Sequence, residues 1–253
     1  MRTATAGDGR VVALWRYPVK SMGGVAHEEI EVGARGVVGD RGFGVLDRTA
    51  GTVLSAKREG RLLEARAALV ADDLVVTLPD GRGFDRGPEL DEALTQWIGR
   101  PVGVVEAASF GPATFESPED FEHDDSALAT WEGVVGSFVD ESPLHLLALG
   151  DLERLRAERP DLNWDVRRFR PNVVLDGQLG ALEPGQRLLL GEIEVEVTKG
   201  CSRCVMTTRP QPGGLERELD VLRHVARHHD NLVGVRALVV RPGRLRVDDT
   251  VAG

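Results

Sequence analysis

Cysteine is nearly absent from this sequence: 253 residues contain two, Cys201 and Cys204. Two intervening residues close a loop too short to staple a domain, so structural disulfides are excluded as an organising device. The pair cannot supply the four thiolates of an all-cysteine iron–sulfur cluster, and a closed zinc site would need further ligands from the six histidines. Lysine is scarce too, occurring only at positions 20, 57 and 199, so arginine is the main cation. No apolar run approaches the roughly 18 residues of a membrane span, and the opening MRTATAGDGR lacks the apolar stretch of a secretory signal. A cytoplasmic location is the expectation. With 41 acidic against 31 basic side chains the net charge is -10, which repels a polyanion and excludes nucleic acid as a general partner. What is present in quantity is apolar: 42% hydrophobic residues suffice for one large core or two small ones.

Short alternating runs at 11–17 and 25–32, punctuated by glycines from 23 to 44, predict strands and tight bends rather than helices. Further short strands are expected near 43–47, 52–55, 64–70 and 74–78. A helix is expected at 89–98, where Leu90, Leu94, Trp97 and Ile98 share a face and Gly99 can end it. Residues 115–133 carry seven acidic side chains and no Lys or Arg, a composition that marks a solvated connection. We therefore expect an N-terminal unit at 8–114, an acidic linker at 115–133 and a second unit at 134–251. In the second unit 150–158 reads as a helix with Asp151 as N-cap, strands are expected at 172–175, 187–190 and 192–197, and Leu215, Leu219, Leu222, Val225 and Ala226 repeat at helical spacing before a final strand, GVRALVV. The order of elements implies an α+β, mostly β protein.

The sharpest chemical signal is Lys199-Gly200-Cys201-Ser202-Arg203-Cys204, directly after an alternating strand. Arg203 beside Cys204, with Lys199 nearby, would favour the thiolate, the form that attacks electrophiles and binds soft metals. Taken alone, C-x-x-C has three readings: a redox pair, half of a zinc site, or two packed small hydrophobes. Three other segments concentrate donors among prolines and glycines at strand boundaries: Tyr17-Pro18-Val19-Lys20-Ser21, Gly39-Asp40-Arg41-Gly42-Phe43 and Arg168-Phe169-Arg170-Pro171-Asn172. Guanidinium groups converging on one pocket would make an anion site; scattered, they would be ordinary ion pairs.

In this order, YPVKS, GDRGF, RRFRPN and CSRC-x-x-TT resemble the signatures of the MOSC family, named for the C-terminal domain of molybdenum cofactor sulfurase. The likeness spans nearly the whole chain and is to the two-part members, the group containing the mitochondrial amidoxime-reducing component and its bacterial relatives. It implies a small N-terminal β-barrel domain followed by a MOSC β-barrel domain with peripheral helices. It further implies that molybdenum cofactor, a molybdopterin, is bound with Cys204 as the metal's thiolate ligand and catalytic residue. Lys20, Ser21 and Arg41 would contact its phosphate or pterin, Arg170 and Asn172 the pterin, and Ser202 and Arg203 would frame the ligand, with Cys201 a neighbour only. Asp140-Glu141-Ser142-Pro143-Leu144-His145 resembles the family's Ser-Pro stretch, which would set Asp140 and Ser142 at the pocket. His145 could face the cavity or be a hydrogen-bonded structural histidine; His228 and His229 read as capping or solvent-facing residues.

The implied activity is reduction of small N-oxygenated (N-hydroxylated) substrates with electrons from a separate electron-transfer protein of ferredoxin, flavin or cytochrome type. The cysteine count leaves no room for an appended ferredoxin-like domain. The alternatives are a carrier of the cofactor, or of sulfur as a Cys204 persulfide, without small-molecule turnover, and an enzyme of different substrate on the same scaffold. The last is kept open because Arg209-Pro210-Gln211-Pro212-Gly213 stands where many relatives carry an acidic residue before a proline.

Overall fold

A computed structural model describes residues 9–123, 126–133, 135–178 and 182–253. The chain begins with strand β1 (Gly9–Arg16), followed by β2 (Val25–His27), β3 (Glu29–Gly33), β4 (Gly36–Val37) and β5 (Phe43–Asp47). Next come β6 (Arg66–Val70), β7 (Asp73–Thr77), β8 (Gly83–Asp85), helix α1 (Pro88–Ile98) and β9 (Val102–Glu106). A hairpin, β10 (Thr114–Pro118) and β11 (Leu128–Glu132), leads into β12 (Leu144–Ala148), α2 (Leu149–Glu158), β13 (Val173–Leu175), β14 (Arg187–Leu190) and β15 (Ile193–Ser202). The chain ends with α3 (Leu219–His228), β16 (Leu232–Arg241), β17 (Gly243–Arg246) and β18 (Thr250–Ala252). The protein is mostly β, as its composition and alternation imply.

Seven strands close into a barrel in the order β13-β12-β16-β15-β14-β18-β1, with β1 pairing back onto β13 and β2 appended to β1. Alternation explains the barrel wall. In β15, Ile193, Val195 and Val197 are buried, while Glu194 and Glu196 face outward and pair with Arg187 of β14. The small β17-β3-β4 sheet adds Ile30, Val32, Val37 and Leu245 to the same core. Every residue of β12 is buried, because Leu144, Leu146 and Ala148 face the barrel core while Leu147 packs with α2 and α3.

A second core lies under the β5–β9 pair and the β6-β7-β8 sheet, where α1 supplies Leu90, Ala93, Leu94 and Ile98. The termini of α1 follow the expected signals, with Pro88 in the first turn and Gly99 at φ 80° after the last. The two cores are not separate along the sequence, since β1 lies in the large barrel although it precedes the N-terminal unit's other strands. The chain leaves β1 through Tyr17–Ser21 and bridges to β5 at Val19 and Phe43, which carries these residues to the seam between the cores.

Several local expectations are corrected. The acidic stretch 115–133 is no plain linker: β10 and β11 pair over five positions, Phe115 is fully buried, and two of its charges are answered from elsewhere, Glu116 by Arg58 and Glu122 by Arg223 at 2.7 Å. Acid composition masked the apolar partners Phe115 and Trp131, which face each other across the hairpin. Asp151 does not cap α2; the cap position is Ala148, and Asp151 sits in the first turn. The expected strand at 52–55 reduces to one bridge, Val53 to Leu46. Leu215 is outside α3, paired with Gln211 in a turn, and Glu218 caps the helix. Among the described residues, no helix is long and apolar enough to cross a membrane.

Candidate functional site

At the seam between the cores, turns from the two sides enclose one cavity. Lys20, Ser21, Arg41, Asp140, Ser142, Arg170, Asn172, Ser202, Arg203 and Cys204 all line it, so the structure brings together every residue singled out in the four motifs and the Ser-Pro stretch. Six cations, the four arginines and lysine nearest the motifs plus Arg236, face a single carboxylate, Asp140. In a chain of net charge -10 this is a local reversal of sign.

The backbone here is unusual. Ser21, Arg41 and Arg170 adopt left-handed φ values of 69°, 48° and 53°. Such non-glycine conformations cost roughly 1–3 kcal/mol each and persist where surrounding structure enforces them, most often at functional sites. Here the enforcement is visible. Arg41 N donates to Tyr17 O at 2.7 Å, and Ser21 Oγ accepts from Ala56 N at 2.9 Å.

Tyr17 organises two of the arginines. The guanidinium carbons of Arg41 and Arg170 lie 4.8 and 4.2 Å from its ring centroid, and burial pushes its hydroxyl up to about 12. Arg41 also pairs with Asp40. Arg170 donates to Met22 O at 2.7 Å, but its Nη2 is buried without a partner. Burial, reinforced by the charge of Arg41, lowers Arg170 to about 10, so it remains a cation at neutral pH. Lys20 lies deeper: its Nζ bonds to Asp140 Oδ1 at 2.6 Å and Phe138 O at 2.9 Å, and rests 3.9 Å from the Phe115 ring centroid. Burial opposes ionisation of Asp140, but Lys20 and Lys57 outweigh it and hold the carboxyl well below its usual range. Asn172 is positioned by both sides, donating to Trp15 O and accepting from His145 N, each at 3.3 Å.

Cys204 ends the long β15 excursion and precedes the short helical turn Val205–Thr208, whose Thr207 amide and hydroxyl donate to its carbonyl at 3.0 and 2.9 Å. Its thiol is free and half-buried, whereas Cys201 is free but buried. The basic neighbours of Cys204 in sequence make their contacts elsewhere. Arg203 turns its Nη2 toward Cys201 Sγ, at 2.7 Å, and its Nη1 toward Phe169 O, while Lys199 pairs with Glu141 at 3.0 Å. Arg203 and Lys199 thus make their contacts with groups other than the Cys204 sulfur, although Arg203 lines the same cavity as Cys204.

Arg168 touches the cavity wall yet serves the scaffold: its guanidinium donates to the carbonyls of Asn163, Thr207, Arg209 and Glu216. Sequence reasoning missed Lys57 and Arg236. The signal for Arg236 was a lone cation inside the otherwise apolar run GVRALVV; it forms an ion pair with Glu141 at 3.1 Å.

His145 is buried at the cavity, and its Nε2 has no partner. A Cβ at Gly234, which has φ 74°, would stand 2.6 Å from that nitrogen, so glycine is required opposite the ring. Burial, with Arg203 and Arg236 adding repulsion, lowers His145 well below its ordinary value, and it is neutral near pH 7. The unfolded chain takes up this proton near pH 6.5 whereas the folded one refuses it, so stability falls as pH drops below that point. This group therefore makes the protein less stable at mildly acid pH than at neutral pH. Urea unfolding should show a shallower acid slope for His145→Gln than for wild type; identical slopes would contradict a neutral buried His145.

Two family models match this chain. The family model "MOSC domain" matches residues 134–252, and "MOSC N-terminal beta barrel domain" matches residues 8–101. The chain belongs to the MOSC family. Curated relatives of this MOSC chain include "Mitochondrial amidoxime-reducing component 1" of Homo sapiens, 27% identical over 284 residues, covering 96% of this chain and 82% of the relative. "Mitochondrial amidoxime reducing component 2" of Homo sapiens is 26% identical over 283 residues, covering 96% and 83%. "Molybdenum cofactor sulfurase" of Caenorhabditis elegans is 26% identical over 210 residues, covering 78% of the MOSC chain and 28% of that much longer protein. A molybdenum-cofactor-related role is thus the family-level function.

Proposed function

We propose that this protein is a molybdenum-cofactor-dependent reductase of small N-oxygenated compounds, working with a separate electron-transfer protein in the cytoplasm. The observation that carries the reading is the accessible Cys204 thiol in a cavity lined by cations at the seam of the two cores. The donor set suits the cofactor. A soft thiol is a fitting ligand for molybdenum, and buried guanidinium nitrogens without partners, Arg170 Nη2 and Arg203 Nε, await an anionic or acceptor-rich molecule.

Bound there, the cofactor supplies the two-electron redox centre needed to break an N–O bond. The residues of the chain do the rest. Cys204 holds the metal; Lys20, Ser21 and Arg41 on one side, and Arg170, Asn172, Ser202 and Arg203 on the other, fix the organic part; Ser142 lines the wall beside Asp140. Asp140, kept ionised by two lysines, orders Lys20 and cannot donate a proton. His145, neutral with its Nε2 packed opposite Gly234, is no imidazolium acid. Breaking the N–O bond with two electrons consumes two protons, and with neither Asp140 nor His145 fit to give them we assign both to solvent.

The test is reduction of hydroxylamines and amidoximes by a chemically reduced viologen, using protein made in a cofactor-competent host. Turnover supports the reductase. Stoichiometric cofactor that transfers to an apo-enzyme, with no N–O reduction for any donor, would replace it with the carrier. Arg170→Ala removes a cation with an unfilled nitrogen and should weaken cofactor retention about tenfold or more, a loss of roughly 1.4 kcal/mol. Pterin content after gel filtration measures it, and unchanged content would remove Arg170 from the binding set.

A further inference from the structure

Away from this cavity, three other ligating side chains converge. Glu158 is the last residue of α2, His224 lies in the last turns of α3, and His229 follows that helix directly. Glu158 Oε2 stands 2.8 Å from His224 Nε2 and 2.7 Å from His229 Nε2, and the three ligand atoms all lie within 4.8 Å of one another. We propose that Glu158, His224 and His229 form a binding site for a divalent transition-metal ion of the zinc class.

The donor set selects the ion. Two imidazole nitrogens and one carboxylate oxygen suit Zn²⁺ and its borderline neighbours, whereas Mg²⁺ and Ca²⁺ prefer all-oxygen surroundings. Three protein ligands leave a fourth position for water, and a cleft lined by Asp151, His228, His229 and Asp230 opens beside the group. The fold adds a field of the right sign, because the C-terminal ends of α2 and α3 both arrive at the group, and the negative end of a helix dipole favours a cation.

The rings are held in place before any ion arrives. His224 is buried, with its ring 5.7 Å from that of Trp164 in an edge-on contact. His229 is fixed through its backbone, donating to Val225 O at 2.9 Å and accepting from Leu232 N at 2.7 Å. Metal–ligand bonds of about 2.0–2.1 Å in a tetrahedron place ligand atoms roughly 3.3 Å apart, so Glu158 must draw back from each ring by about half an ångström, while the two imidazole nitrogens, within 4.8 Å of each other, close toward that spacing. The ion would also brace the larger cavity. Two residues beyond His229, Asn231 grips Arg203 twice, accepting from its backbone N–H and donating to its carbonyl, both at 2.8 Å, immediately before Cys204.

The test uses full-length protein without a histidine tag. Co²⁺ is titrated by calorimetry and visible absorption into wild type, His229→Ala, Glu158→Gln and Cys204→Ser, with far-UV circular dichroism confirming the fold. His224 is left intact because it packs on Trp164. We expect one Co²⁺ per chain, affinity lowered by about tenfold or more in His229→Ala and Glu158→Gln, and no change in Cys204→Ser. In wild type, Zn²⁺ should shift the ring ¹⁵N resonances of His224 and His229, a readout that survives even if a variant unfolds. No binding by wild type, binding undiminished by both substitutions, loss confined to Cys204→Ser, or unshifted ring resonances would each overturn the site.

Discussion

Cys204→Ser, expressed beside wild type in a cofactor-competent host, should lose reduction of N-hydroxylated substrates by about 100-fold or more, equivalent to about 2.7 kcal/mol of barrier. The argument is chemical. Serine keeps the size and the backbone of the turn, in which the Cys204 carbonyl accepts from Thr207, but replaces a soft, polarisable sulfur with a hard hydroxyl. The fold should survive, since the thiol is half-buried and carries no structural contact comparable to the buried side chains around it. Cys201→Ala is the matching control. Its sulfur is buried and accepts from Arg203 Nη2, so its loss frees one guanidinium nitrogen without touching the presented thiol, and most metal should remain. Equal loss in both variants would indicate a dithiol redox pair or a zinc half-site and defeat the assignment of Cys204.

The largest effect on stability is expected at Arg168→Met. Arg168 is almost wholly buried, and its guanidinium gathers four carbonyls from three segments: Asn163, Thr207 with Arg209, and Glu216. Hydrogen bonds from a charged donor contribute roughly 1.5–3 kcal/mol each, and carbonyls left unpaired in the interior carry a desolvation cost of about 1–3 kcal/mol. Methionine fills much of the volume but supplies no donor. A loss of about 3–5 kcal/mol is expected in urea unfolding. Because Arg168 ties the turn before Arg170 to the turn after Cys204, the surviving folded protein should also hold cofactor poorly. A change within about 0.5 kcal/mol would mean the carbonyls find water instead, and would contradict this account of the scaffold.

These two residues show what the sequence made legible and what it did not. The motifs around Lys20, Arg41, Arg170 and Cys204 were readable because prolines and glycines at strand ends mark rigid turns, and cations in such turns are conspicuous in an acidic chain. Their convergence was not readable, since it depends on β1 closing the large barrel against β13 and on Val19 bridging to Phe43, pairings between residues far apart in sequence. Arg168 and Arg170 look alike in the string RRFRPN, yet one guanidinium is filled by carbonyls and the other retains an unpartnered nitrogen. Proximity in sequence also misled: Arg203 adjoins Cys204 but turns to Cys201. The acidic stretch 115–133 hid a hairpin because charge composition carries no register, whereas the facing of Phe115 and Trp131 does. The Glu158, His224 and His229 group left no local pattern, because its carboxylate comes from a different helix some seventy residues away.

Molybdenum K-edge X-ray absorption of cofactor-loaded wild type and Cys204→Ser tests the central claim most directly. If Cys204 holds the metal, the serine variant will show one fewer sulfur in the molybdenum shell, with the remaining sulfur contributions unchanged. An identical sulfur shell in the two proteins would show that the cysteine lies outside the metal's coordination and would contradict the proposed site.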